Sequence, residues 1–266
     1  MEYYNDRRIW ITGASSGIGL ALTEELAKSG AKLVITARRE SLLNEIKESS
    51  PRPENIHVLP GDLSEIDKLN DISTRAWDAF GGLDMAIMNA GVSQRSLFRE
   101  MEFETGRKLF DINFFAHAGI MHELLPRFEK QGSGHIAAVT SLSALIPSPL
   151  RIYYSSAKHA LHGFYETLRT ESWNSGVRVS LIIPGFIKTD ISYKAVTGDG
   201  KAFGALDPLQ KAGSSPAEAA LKILKQLKKQ KREIYVGYTP NAAIARFLGK
   251  FFPALLSKIL RNMTSV

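Results

Sequence analysis

The chain has 266 residues, 44% hydrophobic and 23% charged, with no cysteine and a formal net charge of +7. That composition fits one large soluble α/β domain with a substantial core, and it excludes a disulfide scaffold or a thiolate metal site. A run of about 18 apolar residues, enough to span a membrane, does not occur. The polar stretch 1–8 carries no secretory pattern, so a cytoplasmic location is expected.

The charge is uneven. Residues 222–266 hold ten basic side chains and one acid, Glu233, a net +9, which leaves −2 for residues 1–221. Basicity is a C-terminal property. It points to an anionic surface met there, and away from nucleic-acid binding along the whole protein.

In chain order, the apolar run Ile9-Trp10-Ile11 leads into Thr12-Gly13-Ala14-Ser15-Ser16-Gly17-Ile18-Gly19, and a helical pattern from Leu20 to Lys28 leads out. Strand, glycine turn, helix is the context for phosphate binding. Glycine lets the turn tighten and a pyrophosphate approach, and the helix offers unpaired N–H groups and a positive dipole end. The spacing, Gly-x-x-x-Gly-x-Gly, differs from the common dinucleotide fingerprint. A glycine turn without a ligand therefore stays open at this point.

Strands are expected over 7–12, 31–36, 55–59, 83–88, 135–140, 177–183 and 233–237, with helices over 64–80, 103–130, 154–174 and 215–229 among them. Runs such as Met85-Ala86-Ile87-Met88 scarcely alternate, as in strands buried on both faces of a parallel sheet. Repeated βα units predict a doubly wound α/β sheet.

The second strand ends at Thr36-Ala37-Arg38-Arg39 with no acid. An acid there would bond the 2′-hydroxyl of NAD, whereas arginine pairs with the 2′-phosphate of NADP. Arg38 and Arg39 thus favour NADP(H); the plain alternative is a solvated helix start. Asp62-Leu63 follows the third strand. Asp62 suits either the adenine amino group or the cap of a helix beginning near Ser64. Asn89-Ala90-Gly91 follows the fourth strand, where small residues admit a ligand to the backbone. Asn113 sits in a helical pattern among large apolar residues, as a satisfied core amide or a polar relay member. Ser141 lies where the fifth strand runs into a small polar turn. Tyr154 and Lys158 are four apart, on one helix face. A phenol titrates near 10, and a neighbouring ammonium lowers that value, so the pair can act as acid toward a carbonyl or base toward an alcohol. Tyr153 has Ala157 at that spacing, which makes Tyr154 the choice.

Together these stretches resemble the short-chain dehydrogenase/reductase family over about residues 7–237. The family's glycine motif matches at Gly13, Gly17 and Gly19, and its Asn-Ala-Gly motif at Asn89, Ala90 and Gly91, with Met88 where many members have Asn. Its catalytic set matches at Asn113, Ser141, Tyr154 and Lys158, and its Pro-Gly motif at Pro184 and Gly185. The resemblance implies a seven-stranded parallel Rossmann sheet in a three-layer α/β/α sandwich, spanning 1–240. It implies hydride transfer from NADPH to a carbonyl, with Ser141 bonding the oxygen and Tyr154 delivering the proton. Lys158 would depress the tyrosine pKa and hold the ribose, and Asn113 would support a water leading from Lys158 to solvent. Ser15 and Arg38 would hold the 2′-phosphate with Arg39 close by, while Ser16, Ile18 and Leu63 would complete the nucleotide site. Ile187 and Thr189 would flank the carboxamide. Homo-oligomers, dimers or tetramers, are expected from the same resemblance.

A substrate lid is expected over 190–215, where four glycines favour mobility. The wording Ala195-Val196-Thr197-Gly198-Asp199-Gly200 looks like a membrane-associated subgroup, the dehydrogenase/reductase member 7-like proteins. The last segment, 241–266, reads as a basic amphipathic helix, kinked or split at Pro253. Its apolar stripe is Phe247, Leu248, Phe251, Phe252, Leu255, Leu256, Ile259 and Leu260. Peripheral membrane contact through 246–261 is one reading; packing over the substrate pocket or a partner subunit is the other. His159 and His162 lack an acid cluster in the sequence, and no metal is expected. The substrate expected is a small apolar or lipid-like carbonyl or alcohol. The alternative is a cofactor-binding regulatory or membrane-anchored scaffold without turnover.

Overall fold

A computed structural model describes residues 2–261. In chain order the elements are β1 (Arg8–Thr12), α1 (Gly17–Lys28), β2 (Lys32–Thr36), α2 (Glu40–Glu48), β3 (Ile56–Val58), α3 (Leu69–Asp78), β4 (Met85–Met88), α4 (Phe103–Phe110), α5 (Ala116–Gln131), β5 (Gly134–Val139), α6 (Ile152–Glu171), β6 (Val177–Pro184), α7 (Pro208–Lys211), α8 (Pro216–Leu227), β7 (Glu233–Val236), α9 (Pro240–Phe251) and α10 (Pro253–Leu260). The strands form one sheet in the order β3-β2-β1-β4-β5-β6-β7, and all neighbours pair in parallel. The doubly wound α/β sheet expected from the sequence is therefore present.

Two apolar layers enclose the sheet. One joins Ile9, Ile11 and Ile35 to Leu22 and Leu26 of α1 and to Ile223 and Leu227 of α8. The other joins Trp10, Ala86 and Met88 to Ile72 of α3, Leu124 of α5 and Leu161 of α6. Successive strand residues point to opposite faces, so a strand covered on both sides must be apolar throughout; β4 is buried at all four positions. Trp10 finds the partner that its indole N–H needs in Thr36 Oγ1, at 2.8 Å.

Helix bounds depart from expectation where side chains compete for the backbone. The helix expected at 64–80 starts at Leu69, because Asp62 Oδ1 accepts from the N–H and hydroxyl of Ser64 at 3.0 and 2.7 Å and holds a local turn. Asp62 therefore does not cap that helix. The span 103–130 is α4 and α5 joined by a π-helical segment, Asp111–Phe115. The C-terminal helix is split, with Pro253 at the first turn of α10, where proline is tolerated. Residues 262–266 of that expected helix lie outside the described residues.

The sheet order reverses between β1 and β4, which opens a crevice at the carboxyl ends of the strands. The crevice continues into a cavity of about 1930 Å³. Its far end is roofed by α9 and α10, fastened through Leu142, Ile146, Ala242 and Leu256 with Leu248 and Leu260 packed beside them.

Candidate active site

At the glycine turn, Gly13 and Gly17 take φ of +67° and +59°, a region open to glycine at little cost. A Cβ on Gly13 would come within 2.8 Å of Asn89 Nδ2. Asn89 is a staple: its Nδ2 donates to the Thr12 and Gly13 carbonyls at 3.0 and 3.1 Å. Thr12 Oγ1 accepts from the N–H groups of Asn89 and Ala90. Ser16 precedes α1 without making a side-chain cap bond, so the first N–H groups of a twelve-residue helix stay open toward the cavity. That donor set and the glycine cradle fit a pyrophosphate.

Ser15, Ser16, Gly17 and Ile18 line the cavity, as do Arg38, Arg39, Asp62, Leu63, Asn89, Ala90, Gly91, Pro184, Gly185, Ile187 and Thr189. Gly19 does not. It is buried where a Cβ would overlap the Gly13 carbonyl, so it serves the packing of α1 against the turn. Leu63 and Ile187 also belong to the apolar core. Arg38 is exposed and its Nη1 lies 3.8 Å from Asp62 Oδ2, so the two stand together along one side of the cavity.

All four expected catalytic residues line the same cavity. Asn113 is fully buried in the π-helical segment. Its Nδ2 donates to the carbonyls of Val92 and Leu109, and its Oδ1 accepts from Val92 N–H. The two Val92 bonds tie the amide to the loop after β4, while the third returns to a carbonyl of its own helix, where that helix widens to π geometry. Ser141 Oγ accepts from Ser143 N–H at 3.1 Å. Tyr154 and Lys158 are buried on α6. Asn113 Oδ1 and Lys158 Nζ lie 2.7 and 3.4 Å from one point beside Gly91, the place of its absent Cβ. Tyr153 turns elsewhere, packing against Phe98, Phe110 and Gly106.

The electrostatics correct one expectation. Burial pushes the Tyr154 phenol above its ordinary value, opposed by hydrogen bonding from Ser141 and by the Arg151 charge. Lys158 is not the group that lowers it in the protein alone. Burial instead brings the Lys158 amine down to about 7. Its Nζ donates to Val139 O at 3.0 Å and lies 5.9 Å from the Tyr154 ring centre.

Sequence reasoning missed Gln94, which is fully buried and whose Oε1 accepts from the N–H groups of Tyr153 and Tyr154 at 2.9 and 3.2 Å. It caps the helix that carries Tyr154 and Lys158. Also missed was His117, buried, bonded to Tyr165 Oη and Ala90 O, and held neutral by burial with a pKa of about 3. Only its place one turn after Asn113 hinted at a role. The sequence also placed no acid by His162. In the structure, ligand atoms of His162, Glu166 and Glu233 lie within 4.8 Å of one another. Glu166 is engaged by Arg169 and Arg232, and Glu233 accepts from Tyr235, which leaves a poor cation site.

The family model described as short chain dehydrogenase matches residues 7–199. A dehydrogenase/reductase SDR family protein 7-like of Drosophila melanogaster is 32% identical over 254 residues, covering 93% of this chain and 77% of its own. A dehydrogenase/reductase SDR family member 7B of Mus musculus is 31% identical over 266 residues, covering 98% and 82%. A short-chain dehydrogenase/reductase from Burkholderia phymatum, solved with NAD, has a TM-score of 0.82 at 22% identity, covering 96% of each chain. An alcohol dehydrogenase from Thermococcus sibiricus, complexed with 5-hydroxy-NADP, has a TM-score of 0.73 at 25% identity, covering 86% of this chain and 95% of that one. With this sheet, this crevice and these matches, the chain belongs to the short-chain dehydrogenase/reductase family of oxidoreductases and groups with its member 7-like proteins.

Proposed function

We propose that this chain is an NADP(H)-dependent reductase or dehydrogenase acting on a carbonyl or secondary alcohol of a small apolar or lipid-like molecule. One observation carries the reading: Ser141 and the buried Tyr154 line the same cavity where the buried Lys158 amine stands at the Asn89-Ala90-Gly91 turn. NADP(H), when bound, supplies or takes up the hydride. Ser141 hydrogen-bonds the substrate oxygen and orients it toward Tyr154. Tyr154 delivers the proton to that oxygen in reduction and removes it in oxidation. Lys158 has one donor on Val139 O and others free for the nicotinamide ribose. Asn113 Oδ1 retains a lone pair near Lys158 for a relay water. NADP over NAD rests on Arg38 and Arg39 at the mouth and on the absence of an acid at the end of β2.

Tyr154→Phe should reduce turnover by at least ~1000-fold and leave NADPH binding intact. Substrates come from metabolite extracts screened for NADPH consumption. Unchanged turnover in the variant would reject the mechanism.

The apolar substrate is supported by the roof. Ile244 and Ile259 line the cavity yet are about half exposed, and Phe247, Phe251, Phe252 and Leu255 continue that surface outward. With Lys250 and Lys258 nearby, this face suits an anionic membrane met peripherally. No described helix is long and apolar enough to cross one. Serines at Phe247, Phe251 and Phe252 should abolish flotation with anionic liposomes; undiminished flotation rejects the contact. Exposed Phe103, Phe115 and Ile152, around α4 and α6, support self-association, which sedimentation would measure.

A further inference from the structure

The lid carries an acid with no part in that scheme. Asp207 caps α7 through Oδ1, which accepts from Leu209 N–H at 3.0 Å, and its own N–H donates to Ser192 Oγ at 3.0 Å. Its Oδ2 takes two arginines at once, Nη1 of Arg95 at 3.2 Å and Nη2 of Arg151 at 3.1 Å. The carboxylate is only 13% exposed. All three side chains line the cavity. They arrive from separate parts of the chain: Arg95 from the loop after β4, Asp207 from the lid, and Arg151 from the position before α6, one turn ahead of Tyr154.

The same loop holds the lid by its backbone. Val196 N–H donates to Ser93 O, and Arg95 N–H to Val196 O, both at 2.9 Å. Arg151 Nε is buried and makes no hydrogen bond among the described residues, so Asp207 is the acid that meets this guanidinium.

We propose that Asp207 is a positioning residue that latches the lid over the cavity and partly offsets the Arg151 charge beside the catalytic tyrosine. The inference rests on the reading of Tyr154 as the proton donor. With the lid down, the carboxylate offsets part of the Arg151 charge, so the guanidinium pulls the phenol down by less than it would alone. With the lid lifted, an uncancelled guanidinium stands one turn from the phenol and favours phenolate. The other groups facing Tyr154 keep their charge when Asp207 loses its own. They are Lys158 on α6, the Ser141 hydroxyl after β5, and Gln94, which holds the Tyr154 N–H.

The test uses the full chain with Asp207→Asn, and with Asp207→Asn combined with Arg151→Gln. Lid opening is read in the cofactor-free protein by trypsin cleavage after Lys194, Lys201 and Lys211. Cleavage should be roughly tenfold faster in both variants. The alkaline limb of kcat/KM for reduction should move down by roughly half to one pH unit in the single variant. It should return in the double variant, where the uncancelled cation is gone. Unaltered cleavage overturns the latch. A limb that stays put in the single variant, or fails to return in the double, overturns the coupling. Phenolate absorbance of each protein minus its Tyr154→Phe partner follows the same shift without turnover. A missing substrate would thus sink the functional reading and leave this inference to be judged on its own.

Discussion

Lys158→Met gives a prediction with opposite signs for activity and stability. The wild-type amine is 3% exposed and titrates at about 7, against an ordinary value of 10.5, because burial disfavours its charge. By linkage, each pH step of that gap is worth about 1.4 kcal/mol, so the charged form costs the fold roughly 4–5 kcal/mol. The cost is full below pH 7, where folded and unfolded chains both carry the proton. Between about 7 and 10.5 the unfolded chain is charged and the folded chain is not, so the cost fades as pH rises. Methionine fills similar space without charge. It leaves the Val139 carbonyl without its donor, a loss of about 1–3 kcal/mol. The net expectation is a variant more stable than wild type by roughly 2 kcal/mol near pH 6, with that advantage gone by about pH 10. Urea unfolding at several pH values measures it. Turnover and cofactor affinity should collapse in the same variant. A stability difference that is independent of pH, or a loss of stability at pH 6, would refute the claim that this amine is held against its own solvation for function.

Three further outcomes follow from the geometry. Gln94→Ala removes the acceptor for two N–H groups at the start of α6; it should cost about 1 kcal/mol in urea unfolding and lower kcat more than it raises KM. Arg38→Asp should raise KM for NADPH at least tenfold while sparing NADH, and equal effects on both would remove Arg38 from phosphate recognition. Gly19→Ala should lose NADPH binding, measured by fluorescence, and about 1–3 kcal/mol of stability, since its Cβ would lie 2.5 Å from Asn89 Nδ2 and overlap the Gly13 carbonyl.

The amino-acid sequence by itself determined the layers and the chemical set. Inner strands covered on both faces must be apolar throughout, and the edge strands β3 and β7 keep a shorter apolar pattern, so each of the seven could be read to within two residues of its observed start and end. The glycine turn and the Tyr154–Lys158 pair were legible for the same kind of reason, because a tight turn and a helix face are local geometry. Only tertiary structure decided how those groups behave. The cap on α6 comes from Gln94, about 60 residues away, and the lid acid reaches Arg95 across 112 positions and Arg151 across 56. Local periodicity is blind to such pairings. The direction of the Lys158 and Tyr154 shifts was also beyond the sequence, since it depends on how completely the fold strips water from an amine and a phenol, and desolvation is a property of packing.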